Sequence, residues 1–414
     1  METVYREANK ICVETMSNPV GDVPKFVSVV RDAIKRGYSD LVLKIDSNVP
    51  AFPNVCVPIA AAINYYSREG ISFSYEIDDN TYLGACSFSN PLVLSREDIA
   101  QLDNPFDRII IFENSGQVAE FNKKCVDFIS QHSVCEVGTL DSLIWCLGEV
   151  MDNVLTHSEE PKGYVLAQFH QVSNRIAICV ADAGIGILNS LMRGKYKPQD
   201  ATEAIKLALK QGVGEGTGQG NGLYGLARIS LANHGTLAIS SGPSMIIFDS
   251  EGKQDVHDKR PYISKQNPGT IVDFQLNLNN PVDISKEFST IGGNNIVDFR
   301  IDDMIQSDDT LLYNVLDNCS GTLTRESGNM IRNDVINVIK RTKQPVKIDF
   351  TGIDHATSSF VDEFLAKMVL YFGVIEFSQM VKIVGMNDTI KHLTNRSIYM
   401  RVATSWNEAA TNDE

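Results

Sequence analysis

Three short stretches between Glu149 and Gly225 hold the residues whose types and spacing could do chemistry. The first is Glu149-Val150-Met151-Asp152-Asn153, with His157 and Ser158 behind it. Leu143, Leu147, Val150, Val154 and Leu155 repeat at helical spacing, so Glu149 and Asn153, four apart, share one helix face. A glutamate there can take a proton from an attacking hydroxyl or water. An asparagine oxygen is a hard, neutral ligand suited to Mg²⁺ that shares its shell with phosphate oxygens and water. A solvated helix face carries the same residue types, so the pair needs company before it means chemistry.

The second stretch supplies some. Arg175 to Ala181 has the pattern of a buried strand and runs straight into Asp182-Ala183-Gly184-Ile185-Gly186-Ile187. A strand end can fix an acidic group, and two glycines let the backbone turn tightly and approach a flat ligand. An aspartate so placed can accept a hydrogen bond from an exocyclic amino group such as that of adenine; a plain β-turn uses the same residues. The third stretch, Gly218-Gln219-Gly220-Asn221-Gly222-Leu223-Tyr224-Gly225, opens a helix with Leu223, Leu226, Ala227 and Ile229 inward. Glycine-rich backbone leading into a helix N-terminus makes an anion cradle. It lacks the Gly-Lys-Ser/Thr ending of a Walker loop, and no strand directly precedes it as a dinucleotide fingerprint requires.

In this order the three stretches resemble the N, G1 and G2 boxes of the GHKL ATPase superfamily, the Bergerat-fold group that includes gyrase B, mismatch-repair MutL, sensor histidine kinases and anti-sigma-factor serine kinases. The resemblance implies Glu149 as catalytic base and Asn153 as Mg²⁺ ligand. It implies Asp182 as adenine reader, Gly184 and Gly186 with Ile187 as the adenine-side turn, and Gly218, Gly220, Asn221, Gly222, Leu223 and Gly225 as the phosphate-side loop. Pro268-Gly269-Thr270 is similar to the late Gly-Thr strand of the same fold, which makes Thr270 a lesser contact. The spacing from Asn153 to His157 and Ser158 looks more like that of the anti-sigma kinases than that of gyrase; His157 itself is expected to be a packed or capping residue. Leu188 to Thr217 occupies the position of the ATP lid, with a helix over Ala201 to Lys210. Its cations Arg193, Lys195 and Lys197 are candidates for the terminal phosphate or simply surface charges.

The whole chain sets the bounds. At 414 residues and 43% hydrophobic content it is long enough for two or three domains. A net charge of -15 argues against a general nucleic-acid or anionic-membrane surface. The eight cysteines form no Cys-x-x-Cys pair and read as reduced core residues. The N-terminus has no apolar signal core, and no apolar run reaches the roughly 20 residues of a membrane helix. A cytoplasmic protein is expected.

Residues 1–104 read as an α/β domain: a helix over Asp22 to Arg36, a strand Asp40 to Ile45, a helix from about Val57 to Glu69 and a strand Ile71 to Ile77. A polar stretch around Asn90 to Pro105 separates it from the ATPase-like domain, 105–282, whose first strand is Arg108 to Phe112. Ser250 to Asn267 reads as a polar hairpin loop. In the last domain, 283–414, a helix carrying Ile331, Val335, Val338 and Ile339 is followed by the strand Pro345 to Phe350, a loop to Thr357, a helix starting at Ser358-Ser359 and the strand Val381 to Val384. This arrangement resembles STAS-like domains related to anti-sigma-factor antagonists, in which a serine at this helix start is phosphorylated. Ser358 and Ser359 are therefore candidate phosphoacceptors, since a helix N-terminus favours the dianion. The alternative is that they cap the helix, with Asp362 or Glu363 completing a capping box. The loop reads Thr-Ser-Ser-Phe where the antagonists have Asp-Ser-x-Gly. The N-terminal domain repeats the same order without a hydroxyl at its second helix start, which makes it a candidate second STAS-like module.

The expected fold class is α/β (α+β): a Bergerat-type α/β sandwich flanked by smaller α/β domains, the C-terminal one STAS-like. The expected function is a Mg²⁺-dependent ATP-binding protein that hydrolyses ATP or transfers its γ-phosphate to a serine. A protein partner would act through the STAS-like domain, and a homodimer is an open alternative. The rival is a nucleotide-gated conformational or dimerisation switch with little turnover.

Overall fold

The computed structural model describes residues 3–16, 18–46, 49–77, 81–160, 162–213, 222–289, 299–308 and 310–412. The chain forms two compact units, Met1–Cys125 with Asp141–Asn294, and Val126–Leu140 with Asn295–Glu414. Both are mixed α/β.

The first unit opens with a hairpin, β1 (Val4–Glu7) and β2 (Lys10–Val13), then α1 (Pro19–Lys35), β3 (Asp40–Ile45), α2 (Pro53–Arg68) and β4 (Ser72–Glu76). The sheet order is β1-β2-β3-β4, antiparallel in the hairpin and parallel from β2 onward. Next come α3 (Tyr82–Ala85), β5 (Leu92–Val93), α4 (Arg96–Ala100), β6 (Ile110–Phe112), α5 (Ser115–His132), α6 (Thr139–His157), β7 (Gly163–His170), β8 (Arg175–Asp182), α7 (Gly186–Arg193) and α8 (Ala201–Ala208). After them lie α9 (Gly222–Ala232), β9 (Thr236–Ser241), β10 (Ser244–Phe248), β11 (Gln254–His257), β12 (Thr270–Asn277) and α10 (Ile284–Ser289). Strands β5 to β12 make an eight-stranded sheet ordered β11-β10-β9-β12-β8-β7-β6-β5. Every pair in it is antiparallel except β5 with β6.

Helix α2 explains why this unit is a single body. It packs on β4 of its own sheet and on β7 and β8 of the large one, so Val55, Cys56, Val57, Ile59, Ala61, Ala62 and Ile63 are all buried. A helix apolar on all sides belongs between two layers. Its three successive alanines, Ala60 to Ala62, let the layers approach closely. The polar stretch around Asn90 to Pro105, expected to separate two domains, instead adds β5 to the edge of the large sheet.

The second unit contains α11 (Phe299–Met304), β13 (Leu311–Asn314), α12 (Val315–Asn318), α13 (Arg325–Thr342), β14 (Val346–Asp349), α14 (Ser358–Val361), a π-helical turn (Asp362–Ala366), α15 (Lys367–Met380), β15 (Val381–Val384) and α16 (Asp388–Asn412). Its sheet, β13-β14-β15, is parallel throughout. The core gathers Tyr313, Ile331, Val335, Phe350, Phe360 and Phe364. Helix α13 starts at Thr324, whose hydroxyl accepts the Ser327 N–H at 3.1 Å, and stops at Lys343 in left-handed backbone, φ 54°. The start of this unit was expected near Asn294 to Phe299, of which 294–298 lie outside the described residues. Among the described residues no helix is long and apolar enough to cross a membrane.

Candidate functional site

Helix α6 is anchored by Leu143, Cys146, Leu147, Val150, Met151 and Val154, all buried, which leaves Glu149 and Asn153 on a half-buried face. Gly222, the first residue of α9, passes directly over that face. A Cβ on Gly222 would lie 2.6 Å from Glu149 Oε2 and 3.2 Å from Asn153 Nδ2, so a larger residue there would push the ends of both side chains aside. Gly225, one turn on, rests against the Trp145 ring. Burial, and then the neighbouring charge of Asp152, raise the Glu149 carboxyl above its ordinary range. That is the direction a proton acceptor working near neutral pH needs.

The Asp182 turn is fixed from three sides. Asp182 ends β8 opposite Thr270 of β12, and its Oδ1 accepts the Gly184 N–H at 2.8 Å. Any side chain on Gly184 would strike the Ser158 carbonyl, which accepts the Ile185 N–H at 2.9 Å. Gly186 has φ 70°, a conformation that costs glycine little. The Ile187 N–H then donates to Ser241 Oγ at 2.9 Å, and Ser241 Oγ donates to the Gly269 carbonyl at 3.0 Å. Burial pushes the Asp182 carboxyl up to about 7, against the pull of the Gly184 and Thr270 N–H groups. Above that pH it is an acceptor with no cation beside it among the described residues.

These elements enclose a cavity of about 120 Å³ lined by Asn153, Asp182, Gly186, Ile187, Gly222, Leu223 and Thr270, together with Val150, Val154, Val180, Leu191, Ala208, Val213 and Val272. Seven of the residues expected from sequence thus meet around one space. Glu149 stands beside it, one turn before Asn153, while Gly184 and Gly225 support its walls from behind. Gly218, Gly220 and Asn221 lie outside the described residues. The cavity also takes in His157, Ser158 and Ser190. His157 is therefore a wall of the cavity, not merely a packed or capping residue; its place one helical turn after Asn153 was the available signal. Of the three candidate cations, Arg193 pairs with Glu159, Lys197 donates to the Met192 carbonyl, and Lys195 lies 5.0 Å from the centre of the Tyr196 ring.

In the second unit, Ser358 is exposed and Ser359 half-buried in the first turn of α14. Neither caps the helix. The cap is Thr357, whose hydroxyl accepts the Phe360 N–H at 3.1 Å. The expected capping box is also absent, because both acids are engaged elsewhere. Asp362 binds Arg401 at 2.7 Å, and Glu363 binds Arg332 at 2.6 Å and Lys367 at 2.7 Å. Burial raises the Glu363 carboxyl, but Lys367 and Arg332 outweigh it and leave it below its ordinary range.

Residues 327–391 match a family described as a STAS-like domain of unknown function, DUF4325; the second unit carries a STAS-like domain. No curated protein matches the chain. Among solved structures, a histidine kinase domain from the Erythrobacter litoralis EL346 blue-light activated histidine kinase is similar at 14% identity, covering 59% of this chain and 92% of that one. Its TM-score is 0.20, too low to say more of this chain.

Proposed function

We propose that the first unit binds ATP with Mg²⁺ in the GHKL manner and promotes attack of a hydroxyl on the γ-phosphate. The observation that carries this reading is the convergence of Asn153, Asp182, Gly222 and Thr270 on one cavity, with Glu149 against the backbone of Gly222. Asp182 accepts the adenine amino group, and the Gly184–Gly186 turn sets the adenine edge against it. Asn153 would hold the metal through its side-chain oxygen, which fits a hard cation that draws its remaining ligands from phosphate and water. When bound, Mg²⁺ offsets phosphate charge. The Gly218–Gly225 stretch and the N-terminus of α9 would face the phosphates. Glu149 takes the proton of the attacking hydroxyl as the new P–O bond forms and the bond to ADP breaks. With water the products are ADP and phosphate; with a serine such as Ser358 or Ser359 they are ADP and a phosphoserine. The STAS-like domain is the regulated or regulating element, through which a protein partner or a second copy acts. The setting is the cytoplasm.

The test is incubation of wild type and Glu149→Gln with [γ-³²P]ATP and Mg²⁺, following free phosphate and protein-bound label. Glu149→Gln is expected to lower turnover roughly 10²–10⁴-fold while leaving ATP binding in place. Label lost with Ser358→Ala or Ser359→Ala assigns a serine kinase; free phosphate alone assigns an ATPase. ATP binding and ATP-dependent assembly without turnover in wild type would replace the enzyme with a nucleotide-gated switch. Absence of ATP binding ends the proposal.

A further inference from the structure

Helix α2 ends at Arg68, whose guanidinium grips Glu160 just past the end of α6. Arg68 Nη1 donates to Glu160 Oε1 at 2.5 Å and Nη2 donates to Oε2, the two-pronged pairing for which a guanidinium is shaped. The Glu160 side chain is only 10% exposed, that of Arg68 42%, so the carboxylate is the member that depends on the pair. A covered carboxylate that loses its counter-charge is driven toward water. The charge of Glu160 also reaches Asp182 and adds to the rise of the Asp182 carboxyl. Two acids therefore stand at one corner of the first unit, and Arg68 fastens one of them.

The main chain of Glu160 is tied in turn to Ser158. The Glu160 N–H donates to Ser158 Oγ at 3.0 Å, and Ser158 Oγ donates to the Glu160 carbonyl at 3.2 Å. Ser158 is buried, and its own carbonyl is the group that accepts the Ile185 N–H and lies where any side chain on Gly184 would be. A continuous chain of contacts thus runs from the end of α2 to the turn that carries Asp182. Arg68 itself is not on the wall of the cavity.

We propose that Arg68 is a positioning residue for the Asp182 turn, acting through Glu160 and Ser158. With Arg68 in place, Glu160 stays covered and Ser158 holds its carbonyl against Gly184 and Ile185. Without it, Glu160 turns out to solvent, draws Ser158 with it and loosens the turn. The effect on a ligand rests on the reading of this turn as the adenine end of an ATP site; the effect on the turn does not.

Amide hydrogen exchange of the nucleotide-free, full-length protein tests the effect on the turn. Arg68→Ala is expected to speed exchange of the Ile185 N–H roughly tenfold while Val180, in the middle of β8, keeps its wild-type rate. Arg68→Lys should restore part of the protection, as a point charge without the fork. Arg68→Ala combined with Glu160→Gln should also exchange more slowly at Ile185 than Arg68→Ala alone, because an uncharged amide is not driven out; a packing role of Arg68 would show no such rescue. With ATP and Mg²⁺, Arg68→Ala should weaken binding about tenfold, whereas Lys10→Gln, which breaks the Lys10–Glu76 pair elsewhere in the unit, should change neither readout. Unchanged exchange at Ile185 in Arg68→Ala overturns the proposal, as does equal acceleration at Ile185 and Val180 or no rescue by Glu160→Gln. Faster exchange confined to the turn, in a wild type that binds no ATP, upholds the positioning role and ends the nucleotide reading instead.

Discussion

In the first unit Asp182 and Asp273 are buried and Glu149 half-buried, with no cation beside them among the described residues, whereas in the second Asp362 and Glu363 are held under arginine and lysine. Burial drives Asp182 and Asp273 up to about 7, the latter against the pull of Asn54, whose Nδ2 donates to it at 3.1 Å. Arg401 holds Asp362 below its ordinary range, winning over burial. Paired carboxyl groups fasten the fold, and unpaired ones are left for another role. A compensated carboxylate is an internal fastening; an uncompensated one costs stability that a ligand can recover. Two of the three uncompensated groups, Glu149 and Asp182, stand at the cavity.

Breaking the compensated set should have the largest effect. Glu363→Ala leaves Arg332 and Lys367 without their shared partner and is expected to destabilise the second unit by about 2–3 kcal/mol in denaturant unfolding, the partners' partial exposure limiting the loss. Asp182→Asn should do the reverse at pH 8, stabilising the first unit by about 1–2 kcal/mol while weakening adenine nucleotides. If both substitutions destabilise equally, the contrast is false.

The pH dependence has opposite signs in the two units. Asp182 and Asp273 have folded pKa values above the ordinary 3.8, so the folded state keeps protons that the unfolded chain releases. Stability of the first unit should therefore fall as pH rises from about 4 to about 7. Glu363 is depressed below its ordinary 4.5, so its contribution is present above that value and lost as pH falls through the folded pKa. Unfolding followed separately in the two units between pH 3 and 8 reads both slopes.

A sharper form concerns the ligand. If Asp182 must be ionised to accept the adenine amino group, affinity should fall up to about tenfold for each pH unit below about 7. Asp182→Asn should flatten that profile. The smallest effects separate cap from candidate acceptor: Thr357→Ala should cost about 1 kcal/mol, Ser358→Ala and Ser359→Ala less than about 0.5 kcal/mol.

Much of the cavity was legible because its residues sit on strong local patterns. The stripe around Glu149 is α6, the apolar run into Asp182 is β8, and Gly222 opens α9. What sequence missed was held by neighbours alone. β1, β2 and β5 are two to four residues long, too short for alternation to register, and exist because adjacent strands pair with them. β11 lies in a stretch that reads as a polar loop. The π-helical turn at Asp362–Ala366 arises in an ordinary apolar pattern, and the left-handed Gly373, φ 77°, interrupts α15.

The segment Val126–Leu140 belongs to the second unit although the chain on both sides of it belongs to the first. Within the second unit, Asn337 Nδ2 donates to the carbonyls of Ser130 at 3.0 Å and Ser133 at 2.7 Å, Asn337 Oδ1 accepts the Cys135 N–H at 2.8 Å, and Ser130 Oγ donates to Asp334 at 2.6 Å. A gene fragment beginning at residue 295 would thus encode a body with one piece missing and a row of desolvated amides and a carboxylate uncovered. Such a piece should be poorly soluble unless the peptide 126–140 is supplied in trans, and recombination could not pass this STAS-like domain between proteins as a simple C-terminal cassette.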